Sequence, residues 1–134
     1  MPFDLPHTED AATLRRKTRG ALAYQSGLQA EQAVCADYLA RGHRLCEKRW
    51  RGRAGEIDLI FEQSGTYIFV EVKSSSTLAR AAQSLSARQL ARICASAEDY
   101  ISHTAKGFLT DMRVDVALVD QMGALEIHEN ASMW

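Results

Sequence analysis

No apolar run in this 134-residue chain approaches the roughly 20 residues that a membrane-spanning helix needs. Residues 1–7 lack both a basic n-region and an apolar h-region, so they are not expected to act as a secretory signal. Cysteine is scarce: Cys35, Cys46 and Cys94 are odd in number and far apart. That pattern argues against a disulfide framework or a zinc site and suits reduced thiols in a cytoplasmic protein. Internal repeats and low-complexity segments are absent. Net charge is also small, −1 at pH 7. What remains is an ordinary globular composition, 46% apolar and 25% charged, in a chain long enough for one domain with its own core.

The small net charge hides an uneven distribution. Arg15, Arg16, Lys17, Arg19, Arg41, Arg44, Lys48, Arg49, Arg51 and Arg53 crowd the first 53 residues, and from Leu14 onward only Glu31, Asp37 and Glu47 oppose them there. Such a half is compatible with a phosphate-binding surface, the source of most sequence-independent nucleic-acid affinity. It is equally compatible with a solvated face. The run Lys48-Arg49-Trp50-Arg51-Gly52-Arg53 favours phosphate, with Trp50 read either as a base-stacking ring or as packing.

Two apolar runs, 55–61 and 67–73, flank Gln63-Ser64-Gly65-Thr66, which reads as a hairpin turn. A turn centred on Ser64-Gly65 pairs positions whose numbers sum to 129, so Asp58 faces Glu71 and Glu56 faces Lys73. Directly opposed side chains have Cβ atoms roughly 4.5–5.5 Å apart. Period-two alternation puts Glu56, Asp58, Glu71 and Lys73 on one face and Ile57, Leu59, Val70 and Val72 on the other. Two acids facing each other on such apolar strands repel, and burial sharpens the repulsion. A Mg²⁺ or Mn²⁺ ion would offset it, and a lysine two residues on would sit beside a reactive water, the arrangement of metal-assisted phosphodiester hydrolysis. The bland alternative is a solvated face with a Glu56–Lys73 salt bridge.

Elsewhere, residues 1–8 read as a tail, Thr8 as the start of a short basic helix ending near Gly20, and Ser26 as the cap of a helix over about 27–41, stopped by Gly42. Glu31 lies near that helix's apolar stripe, as a structural hydrogen-bonder or a third carboxylate. A strand over 44–53 precedes the hairpin. Ser86 caps an amphipathic helix to about Thr104. Arg88 in its first turn meets either phosphate or solvent. Strands follow at 113–119 and 125–128. The order α-β-β-β-α-β-β predicts a mixed sheet flanked by helices, with one parallel pairing through the 86–104 helix.

These residues resemble the PD-(D/E)XK nuclease superfamily, with Asp58 at the motif aspartate and Glu71-Val72-Lys73 at the E-X-K element. Within it the chain is most similar to the YraN-type family of predicted endonucleases. The matching features are Gly27 to Glu31, Gly55 to Ile60, Phe69 to Lys73, Arg113 to Val116 and Ile127 to Ala131. Glu31 matches the first-helix glutamate of related Holliday-junction resolvases. The resemblance covers residues 26–134 as one nuclease-like domain and leaves 1–25 apart. It implies a restriction-endonuclease-like αβββαβ core, and a Mg²⁺- or Mn²⁺-dependent endonuclease acting on DNA, including branched DNA. In that reading Asp58, Glu71, Glu31 and the Val72 carbonyl hold the metal, while Lys73 orients or deprotonates the water. Glu56 supports Lys73, and Arg49, Arg51, Arg53 and Arg88 contact phosphates. Symmetric cutting of a junction would suit a two-fold homodimer. The 74–85 segment, often basic in the family, is here rich in Ser and Ala with only Arg80. A catalytically silent nucleic-acid-binding module and a protein-interaction domain using the acidic C-terminal part stay open beside the enzyme.

Overall fold

The computed structural model describes residues 10–131, without the side chains of residues 22–25. Its elements are α1 (Ala11–Ala40), β1 (Arg44–Arg51), β2 (Glu56–Gln63), β3 (Thr66–Ser74), α2 (Leu78–Gln83), α3 (Ala87–Ile101), a 3₁₀ turn (Gly107–Leu109), β4 (Asp111–Val119) and β5 (Leu125–His128). The strands form one sheet in the order β1-β2-β3-β4-β5. Every pairing is antiparallel except β3–β4, which is parallel and joined through α2 and α3. This is the mixed, helix-flanked sheet of a restriction-endonuclease-like core. Among the described residues, no helix is long and apolar enough to cross a membrane.

The hairpin forms as its turn chemistry dictates. Ser64 (φ 52°) and Gly65 (φ 87°) both take left-handed backbone, the signature of a two-residue type I′ turn. The register runs from Gln63↔Thr66 to Leu59↔Val70, each pair summing to 129 as predicted. Ser86 caps α3 and closes a capping box with Gln89.

The first helix departs from expectation. Ser26 caps nothing: α1 is one 30-residue helix, about 45 Å long, running through Gly20 and Gly27. Its cap is Asp10, whose carboxylate accepts from the Thr13 amide at 2.7 Å. Each internal glycine costs about 1 kcal/mol relative to alanine, and no proline removes a backbone bond. The expected Thr8 start lies outside the described residues.

Side chains divide into layers on the two faces. Ala30, Val34, Cys35 and Tyr38 of α1 pack on Leu59, Phe61, Ile68, Val70, Ala117 and Val119. Ile93, Ala97 and Ile101 of α3 pack on Ile57, Ile60, Phe69 and Val114. Ala81 of α2 packs with Val116, Leu118 and Ala131. Ile57 is therefore not on the face of Leu59, Val70 and Val72, as strict alternation predicts. Strand β2 changes face between Ile57 and Leu59, at Asp58. Trp50 packs edge-on against Tyr100, ring centroids 5.1 Å apart, which settles its role as packing. The three cysteines are free thiols, Cys35 buried and the others half-buried.

Candidate active site

The change of face in β2 creates the site. In a type I′ hairpin of this register, alternate rungs exchange both backbone bonds, so the rung after Leu59–Val70 would pair Ile57 with Val72. The ladder instead ends at Leu59–Val70. The Val72 amide donates to Asp58 Oδ2 at 2.8 Å, so a side-chain carboxylate occupies the missing rung. On the other flank, β1 and β2 pair at Lys48↔Leu59 and Trp50↔Ile57. Arg49 between them adopts φ 51°, an uncommon conformation for a side chain of its size. The sheet thus splits between β2 and β3, with Asp58 standing in the split.

Glu71 meets Asp58 there. Its side chain is buried, with 7% of the residue exposed. Burial, first, and then the hydrogen-bonded, charged Asp58 carboxylate push its pKa from the ordinary 4.5 up to about 9, while Lys73 and Arg92 pull the other way. The two acids are together, as the register predicts, and near neutral pH Glu71 keeps a proton. Lys73, half-buried, lies two residues along the same strand and so on the same side as Glu71. Arg92, one turn beyond Arg88 on α3, crosses over Gly55, where an added Cβ would come within 3.0 Å of its Cδ. Its approach to Glu71 was not foreseen, although the four-residue spacing from Arg88 places both on one helix face.

Glu31 approaches from α1. It shares with Asp58 a cavity of about 140 Å³ whose walls include Leu28, Gln32, Lys48 and Arg49. Its carboxylate, however, accepts from Arg49 Nη2 at 2.8 Å. Arg49, expected among the phosphate contacts, here holds Glu31. Among the described residues, no three His, Cys, Asp or Glu side chains are grouped closely enough to hold a metal ion. The expected four-part ligand set is only half assembled: Asp58 and Glu71 meet beside the Val72 backbone, and Glu31 waits across the cavity.

Glu56 is not where the expected support for Lys73 requires it. Its carboxylate meets Arg51 at 3.5 Å, its register partner on β1, and no salt bridge joins it to Lys73. The divergence of β2 from β3 past Leu59 carries Glu56 away. Arg51 is 79% exposed at its side chain. Arg53 is exposed too, its amide held by Asp99 Oδ2 at 3.0 Å, and Arg88 is exposed near the start of α3.

The donor set fits a hard divalent cation. It offers carboxylate oxygens, one on a group too buried to ionise cheaply, with a third carboxylate across a shared cavity and no cysteine or methionine among the described residues that line it.

The chain matches the model of the uncharacterised protein family UPF0102 over residues 30–119. It is 46% identical over 124 residues to a UPF0102 protein of Roseobacter denitrificans, covering 92% of this chain and 96% of that one. A UPF0102 protein of Ruegeria pomeroyi is 51% identical over 114 residues, 85% of this chain and 93% of that one. One from Dinoroseobacter shibae is 38% identical over 128 residues, 94% and 96% respectively. Matches of this length extend into the first 25 residues, which the motif resemblance left apart.

Proposed function

The chain belongs to the uncharacterised protein family UPF0102, and from that premise we propose that it is a Mg²⁺- or Mn²⁺-dependent endonuclease of the PD-(D/E)XK type. Its substrate in this reading is DNA, branched or otherwise structured DNA included. The observation that carries the reading is the Asp58–Glu71 pair at the split between β2 and β3, with Lys73 beside it. A sheet has no structural need to bury one acid against another where its ladder stops.

Asp58, held through Oδ2 by the Val72 amide, and Glu71, once its proton leaves, would be the two carboxylates that hold the cation. The Val72 carbonyl would be a third oxygen, and Glu31 a fourth on turning from Arg49. A bound Mg²⁺ or Mn²⁺ ion would neutralise these acids and stabilise charge growing on the scissile phosphoryl group. Lys73 orients the attacking water and lowers the cost of removing its proton. Arg92 supplies positive charge on the α3 side.

One observation favours a silent nucleic-acid-binding module instead: Glu31 is tied to Arg49 and the acid group is incomplete. Incubating branched and linear DNA with Mn²⁺ and the wild type, Asp58→Ala or Lys73→Ala separates the two. Cleavage by wild type alone supports the enzyme. Equal activity in all three removes the assignment, and salt-dependent binding without cleavage under any divalent ion supports the silent module.

A further inference from the structure

The first half of α1 has no part in the core. Every described side chain from Leu14 to Ala21 is exposed, and burial against the sheet begins only near Gly27. At 1.5 Å per residue, residues 11–26 make about 24 Å of helix. Its direction follows from what α1 passes. Ser26, Gln29, Ala30 and Ala33 line a groove of about 480 Å³ with Ser74 at the end of β3, Ser75 and Ser76 beyond it, and the Asp120–Gly123 turn after β4. The helix therefore runs out past the carboxyl ends of the two parallel strands, the end at which Lys73 stands.

This projecting segment carries charge of one sign. Arg15, Arg16, Lys17 and Arg19 fall between Asp10 and Glu31 with no acid among them. Positions 15, 19, 26, 30 and 33 share one side of an α-helix. The side that walls the groove is therefore the side that carries Arg15 and Arg19, with Arg16 next to it. The groove itself offers hydroxyls and amides from Ser74, Ser75, Ser76, Gln29 and Gln121. Asp120, its one acid, is already occupied, accepting the Met122 and Ala124 amides at 2.9 Å each. Small, neutral, hydrogen-bonding walls leading to a row of arginines suit a polyanionic backbone.

We infer that residues 11–21 are a nucleic-acid-binding arm. Arg15, Arg16 and Arg19 grip phosphates of a strand that lies along the serine-walled groove. The choice of nucleic acid rests on the proposed function, but binding needs no metal, so the two stand or fall separately.

The test is fluorescence anisotropy of a short labelled duplex, and of one of its strands alone, against the full chain in EDTA across a salt series. The combined variant Arg15→Gln, Arg16→Gln, Arg19→Gln keeps helix propensity nearly unchanged, which circular dichroism verifies. Three lost phosphate contacts should flatten the slope of log K against log salt by about 2.7 for the duplex, or about 2 for the strand, and weaken binding roughly tenfold or more. Lys106→Gln, a single charge elsewhere, should change the slope less than Arg19→Gln does. An unchanged slope in the triple variant overturns the arm. Binding of the wild type to anionic lipid vesicles but to neither nucleic acid overturns it as well. Arm-dependent binding without Mn²⁺-dependent cleavage upholds the arm while ending the endonuclease reading.

Discussion

Glu71 holds a proton where the proposed chemistry places a cation. Its pKa in the fold, about 9 against an ordinary 4.5, means that between those values the folded chain binds a proton that the unfolded chain has released. Stability of the metal-free protein should therefore fall as pH rises from about 4.5 through about 9. Glu71→Gln, which cannot ionise, should flatten that decline and be the more stable form at the alkaline end. Thermal unfolding in EDTA across this pH range checks it, and a wild-type profile parallel to that of the variant would refute it. Lys73→Met tests a different role. It should lower the cleavage rate by about 10²–10⁴-fold while leaving DNA affinity within a few fold, measured by single-turnover kinetics beside binding. Asp58, Glu71 and Lys73 were legible as residues because acid, acid and amine on opposed strands have few reasons to coexist. Arg49 was not legible: neither its left-handed backbone nor its hold on Glu31 leaves a mark on composition or spacing.

At the scale of elements, the hairpin was the readable part. Turn residues set the register, and the register set which acids meet. Ser64 at φ 52° is the weak member of that turn. Ser64→Asn, making the Asn-Gly pair that type I′ turns favour, should stabilise the fold by a few tenths of a kcal/mol. Gly65→Ala, forcing a Cβ into φ 87°, should cost about 1–2 kcal/mol. Chemical denaturation of both variants measures the difference, and destabilisation by the asparagine would contradict the turn assignment. Alternation was reliable only where the ladder persisted, which is why Ile57 and Glu56 were misplaced. In α1 the misleading signals were Gly20, Ser26 and Gly27. Each is a helix-stop or cap signal in isolation, but no proline breaks the helix and each glycine costs only about 1 kcal/mol. Local preference was too weak to end a helix whose later turns dock on the sheet.

The whole molecule is tied together on the side away from the acids by a polar network invisible in the sequence pattern. Asp115 is fully buried. It accepts from Tyr38 Oη at 2.6 Å, from Arg113 Nε at 3.0 Å and from the Asn130 amide at 3.0 Å, joining α1, β4 and the C-terminal segment. Asp115→Ala leaves the tyrosine hydroxyl unpaired and Arg113 with Glu129 alone, at 3.6 Å, and should cost about 3–5 kcal/mol. Unfolding measurements on that variant test it, and a loss under 1 kcal/mol would mean the network carries little. Such a frame lets β2 and β3 part at Asp58 without unravelling the sheet. In the proposed reading this parting is a cation site. Anomalous diffraction from Mn²⁺-soaked crystals bears on it most directly. A peak is expected at coordination distance from both the Asp58 and Glu71 carboxylates; crystals that take up Mn²⁺ elsewhere and leave those two acids bridged only by a proton would rule the cation site out.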